Sequence, residues 1–143
     1  MPVTTLRTAI IAIQAHAITA GAKEAPSDPP ENNAGFPFSL CYPSDGTIMV
    51  ESYGSRRDVL NLFLDYHVAR QNLALNVQKA LDFYERFPTL LINDLTLGGT
   101  VDTIVFEEGK LKWVFGGMEY GGLATIGYRF TIPVKMRRTT LAP

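Results

Sequence analysis

Cysteine is nearly absent from this chain: Cys41 is the only one in 143 residues. One thiol builds neither an intrachain disulfide framework nor a multi-cysteine zinc site. A reducing compartment, or one where redox does not matter, is expected. No apolar run reaches the ~18 residues of a membrane span. The opening Met-Pro-Val-Thr-Thr-Leu-Arg lacks a cationic leader before a long apolar stretch, so no signal peptide is expected. Charge is scarce too, at 19% of residues against a usual ~25%. Thirteen Lys and Arg oppose fourteen Asp and Glu, for a net charge of −1. Bulk basic charge therefore gives no argument for nucleic-acid binding. Low charge hints instead that some apolar surface is covered by a partner.

What is present is apolar and patterned. Apolar residues make up 46% of the chain, enough for the core of one domain spanning 1–143. Leu6, Ile10, Ile13 and Ala17 recur at steps of four, three and four, extended by Ile11 and Ile18. That spacing predicts a helix over 4–20, stopped by Gly21. Residues 22–35 carry three prolines among polar turn formers and read as a long loop. Strands are expected at 36–42 and 47–53, split by the turn Pro43-Ser-Asp-Gly46. A third follows at 59–68, where Leu60, Leu62, Leu64, Tyr66 and Val68 alternate with Asn61, Phe63, Asp65 and His67. Together they predict an antiparallel meander.

A second helix is expected over 72–87, capped by Asn72, with Leu73, Val77, Ala80, Leu81 and Tyr84 on its apolar face and Pro88 at its exit. Gly98-Gly99 then opens a second β region, with strands at 100–106, 111–115 and 123–136. A hairpin turn is read at 107–110, and Gly116-Gly117 and Gly121-Gly122 bracket another connection. Pro133 makes the last strand an edge or a bulge. The fold class is α+β: an antiparallel or mixed sheet with two main helices on one face, in the order α-βββ-α-βββ.

Chemical constellations are sparse. Asp65 and His67 share a strand face, half of a nucleophilic triad, with Cys41 as a conceivable nucleophile. A polar pair on a sheet plus a buried structural cysteine accounts for the same residues. His16 sits among Ala and Ile, with no second His at ligand spacing. Leu97-Gly-Gly-Thr100 lacks the Lys and following helix of a phosphate loop. Asp94, Asp102, Glu107 and Glu108 form no recognisable metal loop. No catalytic, cofactor or metal residue is assigned, and no cofactor is expected.

Several stretches resemble small phage proteins encoded among neck and tail genes. They are Glu24-Ala-Pro-Ser-Asp-Pro-Pro-Glu-Asn (24–32), Phe36-Pro-Phe, the run from Gly46 to Tyr53, Leu97-Gly-Gly-Thr-Val-Asp-Thr-Ile (97–104) and Gly121-Gly-Leu-Ala-Thr-Ile-Gly-Tyr-Arg-Phe (121–130). With the element order, the chain resembles the tail terminator proteins of long-tailed bacteriophages, also called tail-completion or tail-to-head joining proteins. The resemblance spans most of the chain and rests on turn and strand patterns.

It implies a non-enzymatic virion protein, assembled in the host cytoplasm. Such proteins form a ring, typically a hexamer, that caps the tail tube, ends its polymerisation and meets the head-side connector. The implied partners are other copies of the chain, the tail tube protein and a connector or neck protein. DNA is only passing cargo, and no membrane is involved. The family brings no invariant catalytic set. Interface candidates are therefore read from the chain itself: Pro26, Asp28, Pro29, Pro30 and Glu31 on the loop; Tyr53, Arg56, Arg57 and Asp58 at the end of the protruding 43–57 hairpin; Lys135, Arg137 and Arg138 near the end of the chain. The alternatives are a head-closure or other neck protein, a small enzyme using Cys41, His67 and Asp65, and a ligand-binding domain lined by Phe36, Phe38, Trp113 and Phe115.

Overall fold

A computed structural model of the chain describes residues 6–23, 25, 37–52, 54–69, 73–120 and 123–139. Helix α1 spans Leu6–Ala20, strand β1 Phe38–Ser52, strand β2 Ser55–Ala69 and helix α2 Leu73–Ile92. Short β3 (Thr103–Ile104), β4 (Lys112–Tyr120) and long β5 (Leu123–Thr139) complete an α-β-β-α-β-β-β order. The fold is α+β, as the pattern predicted. Every pairing is antiparallel, in the strand order β1-β2-β5, with β3 and β4 both on the outer edge of β5.

The core lies between the sheet and the helices. Leu62, Leu64, Tyr66 and Val68 of β2 are buried, as are Tyr128, Phe130, Ile132 and Val134 of β5. Register pairs Leu64 with Phe130 and Tyr66 with Tyr128, so both sets point to one face. Over them lie Ala9, Ile10, Ile13 and Ala17 of α1 and Ala80, Phe83, Phe87 and Leu91 of α2. The Phe83 ring stacks on Tyr66 at 3.9 Å and on Phe87 at 5.0 Å. Each such aromatic contributes ~2–3 kcal/mol by burial. Gly21 N–H donates to the Ala17 carbonyl at 3.1 Å, ending α1 where the glycine predicted. No described helix is long and apolar enough to cross a membrane.

Several expected elements differ. The three-strand meander is a two-strand hairpin, because β1 runs through Pro43–Gly46 with a register shift between Pro43 and Asp45. Edge position and a bulge are what let a strand carry proline. Gly46 permits the passage: a Cβ there would come within 2.6 Å of Leu60 Cα and the Val59 carbonyl oxygen. Helix α2 does not exit at Pro88 but includes it. Burial of Phe87 and Leu91 on either side outweighs the lost backbone bond. Leu81 and Tyr84, expected in the core, are exposed, as are Ile11 and Ile18 of α1.

The expected strand 100–106 shrinks to two residues. The 107–110 segment holds a 3-10 turn, Glu107–Gly109, but joins no hairpin, since β3 and β4 each pair with β5. Gly116 and Gly117 lie inside β4. Pro133 sits within β5, and its carbonyl accepts from Val105 N–H at 2.8 Å. A strand residue points its N–H and C=O the same way. The missing donor of Pro133 therefore faces the outer edge, in the gap between β3 and β4.

Candidate assembly surfaces

The sheet is longer than the helical layer that covers it. Beyond Cys41 every residue of β1 from Pro43 to Val50 is exposed. The overhang is an arm made of 46–52, 55–60 and 134–139, with Ser55 paired to both Ser52 and Thr139. Ile48 is 61%, Met49 51% and Val50 85% exposed. Register places Ile48 opposite Asp58 and Val50 opposite Arg56, on the helix-side face; Met49 lies opposite Arg57, on the other.

Arg56 donates to Asp58 at 3.1 Å. Beneath the arm, Leu6, Pro43–Ile48, Arg56, Asp58 and Leu60 line an open cleft of about 390 Å³. Arg56, Arg57, Asp58, Lys135 and Arg137 thus share the arm, two groups that the sequence reading kept apart. Arg138 pairs with Arg56 through its backbone. Pro26, Asp28, Pro29, Pro30, Glu31 and Tyr53 lie outside the described residues.

A second apolar surface lies at the opposite edge, where Trp113 and Phe115, read from sequence as lining a ligand pocket, stand open instead. Trp113 and Phe115 pair with Phe130 and Tyr128, so they point to the helix side, where α2 leaves β4 uncovered. Tyr84 of α2 meets the Trp113 ring at 5.3 Å, and Tyr128 forms the floor, 4.9 Å from Phe115. Trp113 is 44%, Phe115 39%, Tyr84 36% and Leu81 55% exposed. The signal available in the sequence was Trp-Val-Phe in a strand with no facing helix pattern to cover it.

The helix-free face carries a polar cluster spanning three strands. Arg129 donates to both Asp65 oxygens, at 2.8 and 3.1 Å, and to Tyr42 Oη at 3.0 Å. Tyr42 donates to Asp65 at 2.6 Å. The guanidinium lies over the Phe63 ring, 4.7 Å from its centroid. Burial, then the Asp65 carboxylate, pushes the Tyr42 phenol up to about 12. Asp65 holds the Arg129 charge more firmly still.

His67 does not join Asp65. Its Nδ1 lies 2.7 Å from Thr125 Oγ1, and its ring stacks on Phe38 at 4.8 Å. Burial holds its pKa below the usual 6.5. Cys41 pairs in register with Leu64, on the helix side, opposite the face of Asp65 and His67. Burial pushes its thiol well up, away from the thiolate form a nucleophile needs. These three residues are not brought together.

The other single residues are absorbed by structure. His16 Nε2 lies 2.7 Å from Asp94 Oδ2, tying α1 to the end of α2. Asp94 Oδ1 accepts from Gly98 N–H at 2.9 Å, which, ahead of His16, lowers the carboxyl's pKa. That bond, with Gly99 N–H on the Thr96 carbonyl and Thr100 N–H on that of Leu97, consumes the donors a phosphate would need. Phe38 is buried on the face away from Trp113 and Phe115, so they line no shared pocket. Among the described residues no group of three or more His, Cys, Asp or Glu could hold a metal. A scan against protein-family models and a search of curated proteins find no match to the chain.

Proposed function

We propose that the chain is a structural virion protein of the tail-terminator kind. Its copies close into a ring, six by the resemblance, that caps a phage tail tube and joins it to the head-side connector. One observation carries this reading: a single sheet ends in two unlike apolar surfaces, the arm at the β1 edge and the Trp113 surface at the β4 edge. Isolated domains blunt such edges with charge or bulges. Exposed apolar patches on soluble domains mark contact sites. Unlike patches at opposite edges suit heterologous contacts, which close a ring when the rotation permits.

Net charge near zero agrees with a channel that lets DNA pass without gripping its phosphates. The native mass of the purified chain, alone and with purified tail tubes, tests the proposal. A multimer of discrete size that binds tube ends and halts tube growth is expected. A lone subunit under both conditions would overturn it. Binding to portal rings instead of tubes would assign the chain to the neck.

A further inference from the structure

We infer that the joint between copies is one specific pairing: the β1–β2 arm of one copy lies in the α2–β4 aromatic groove of the next. The inference rests on the ring reading and adds which surfaces mate. The first argument is reach. From Ile48, through its register partners Asp58 and Met136, to Trp113 opposite Phe130 is three strand spacings and six residues along β5. That separates the patches by roughly 25 Å on one sheet. A chain cannot fill its own groove with its own arm, so the occupant is a second copy.

The second argument is area. At roughly 150–250 Å² for a large side chain, the observed exposures leave about 300 Å² on the groove and about 250 Å² on the arm face of Ile48 and Val50, Met49 facing the other way. A stable interface buries about 800 Å² per partner, somewhat over half of it apolar. Each patch thus supplies more than about half of the apolar contact required, and the flanking rim supplies the rest.

The third argument is charge. On the groove face Glu85 lies beside the aromatic rings, and Glu119 lies four residues beyond Phe115 along β4. Glu85 follows Tyr84 on α2, close enough to Tyr128 to raise its phenol pKa after burial and Tyr84. Glu119 shares the Trp113 side of β4, whereas Lys112 points to the other side. The arm carries Arg56, Arg57, Lys135 and Arg137 against Asp45 and Asp58; Arg56 and Asp58 share the face of Ile48 and Val50, and Arg57, Lys135 and Arg137 that of Met49. A basic arm seated beside two carboxylates fixes direction as well as affinity.

Two defective chains test the pairing. The arm variant is Ile48→Glu with Val50→Glu; the groove variant is Trp113→Glu with Tyr84→Glu. Each alone should lose assembly by about 100-fold in concentration, as for hot-spot residues. Mixed one to one, they should form a dimer that grows no further, since one intact arm and one intact groove remain. If wild type assembles and both variants assemble equally well, the pairing is wrong while the ring reading stands. A mixture that stays monomeric, or grows past a dimer, also overturns the pairing. A wild-type chain that stays single, with or without tubes, sinks both.

Should the groove variant lose its near-UV spectrum, Glu85→Lys with Glu119→Lys replaces it, and assembly should then fall at low salt and recover at high salt. Independently, one chain carrying both Val50→Cys and Leu81→Cys, on the arm and in the groove, should cross-link only between copies. Cys41, being buried, stays silent. A cross-link within one copy, or none in assembled rings, refutes the contact.

Discussion

The two halves of β1 are one strand in two environments. From Phe38 to Cys41 every residue is buried, including the polar Ser39. From Pro43 to Val50 every residue is exposed, including Ile48, Met49 and Val50. Residue type does not explain the difference; cover does. Gln14 of α1 reaches Ser39, donating to its carbonyl at 3.1 Å and accepting from its hydroxyl at 2.6 Å, so even a serine is comfortable there. Over the outer half no described helix extends, and apolar side chains meet water. The first half is finished by the chain itself, and the second is left for something else to finish.

Breaking the covered half should cost most. Phe83→Ala removes the ring stacked between Tyr66 and Phe87 and should lower unfolding free energy by about 3–5 kcal/mol, read by chemical denaturation. At the junction, Gly46→Ala forces a methyl against Leu60 and Val59 backbone. It should cost about 1–3 kcal/mol, as overpacking does, and speed amide exchange in the arm before the core. On the helix-free face, Arg129→Ala strands the Asp65 carboxylate, which is 5% exposed beside a guanidinium that is 42% exposed. The expected loss is about 2 kcal/mol, between the values for surface and buried pairs.

Acid should act next. His67 has a folded pKa below its unfolded 6.5, so the unfolded chain takes the proton first. Its contribution to stability is present above about pH 6.5 and is lost as pH falls from there through the lower folded pKa. Ring titration by NMR should show a midpoint below 6.5. Smallest of all, Val50→Asp should change monomer stability by less than about 0.5 kcal/mol while weakening assembly. A large stability loss there would mean the arm is covered within one copy.

Much of the fold was legible in the sequence because alternation and helical spacing are local. Leu60 to Val68 and Ile126 to Met136 faced the core as their period required. The failures share a cause: local punctuation was overruled by distant partners. Pro43-Ser-Asp-Gly46 reads as a turn until β2 pairs across it, and Pro88 reads as a helix end until Phe87 and Leu91 are buried around it. The groove was illegible for the same reason. Trp113 and Phe115 read as part of a ligand-pocket lining with Phe36 and Phe38, and only the position of α2 leaves them on an open surface. Arg129 was invisible because its partners, Asp65 and Tyr42, lie 64 and 87 residues away.

One small contact has a practical reading. The Lys23 amide donates to the Pro37 carbonyl at 2.7 Å, and Ala25 packs on the core. The end of α1 and the start of β1 are therefore clasped to each other, and lengthening a closed loop costs little, about 0.6 kcal/mol per doubling. An epitope or a fluorophore tag inserted after Ala25 should leave the helix and the strand in place.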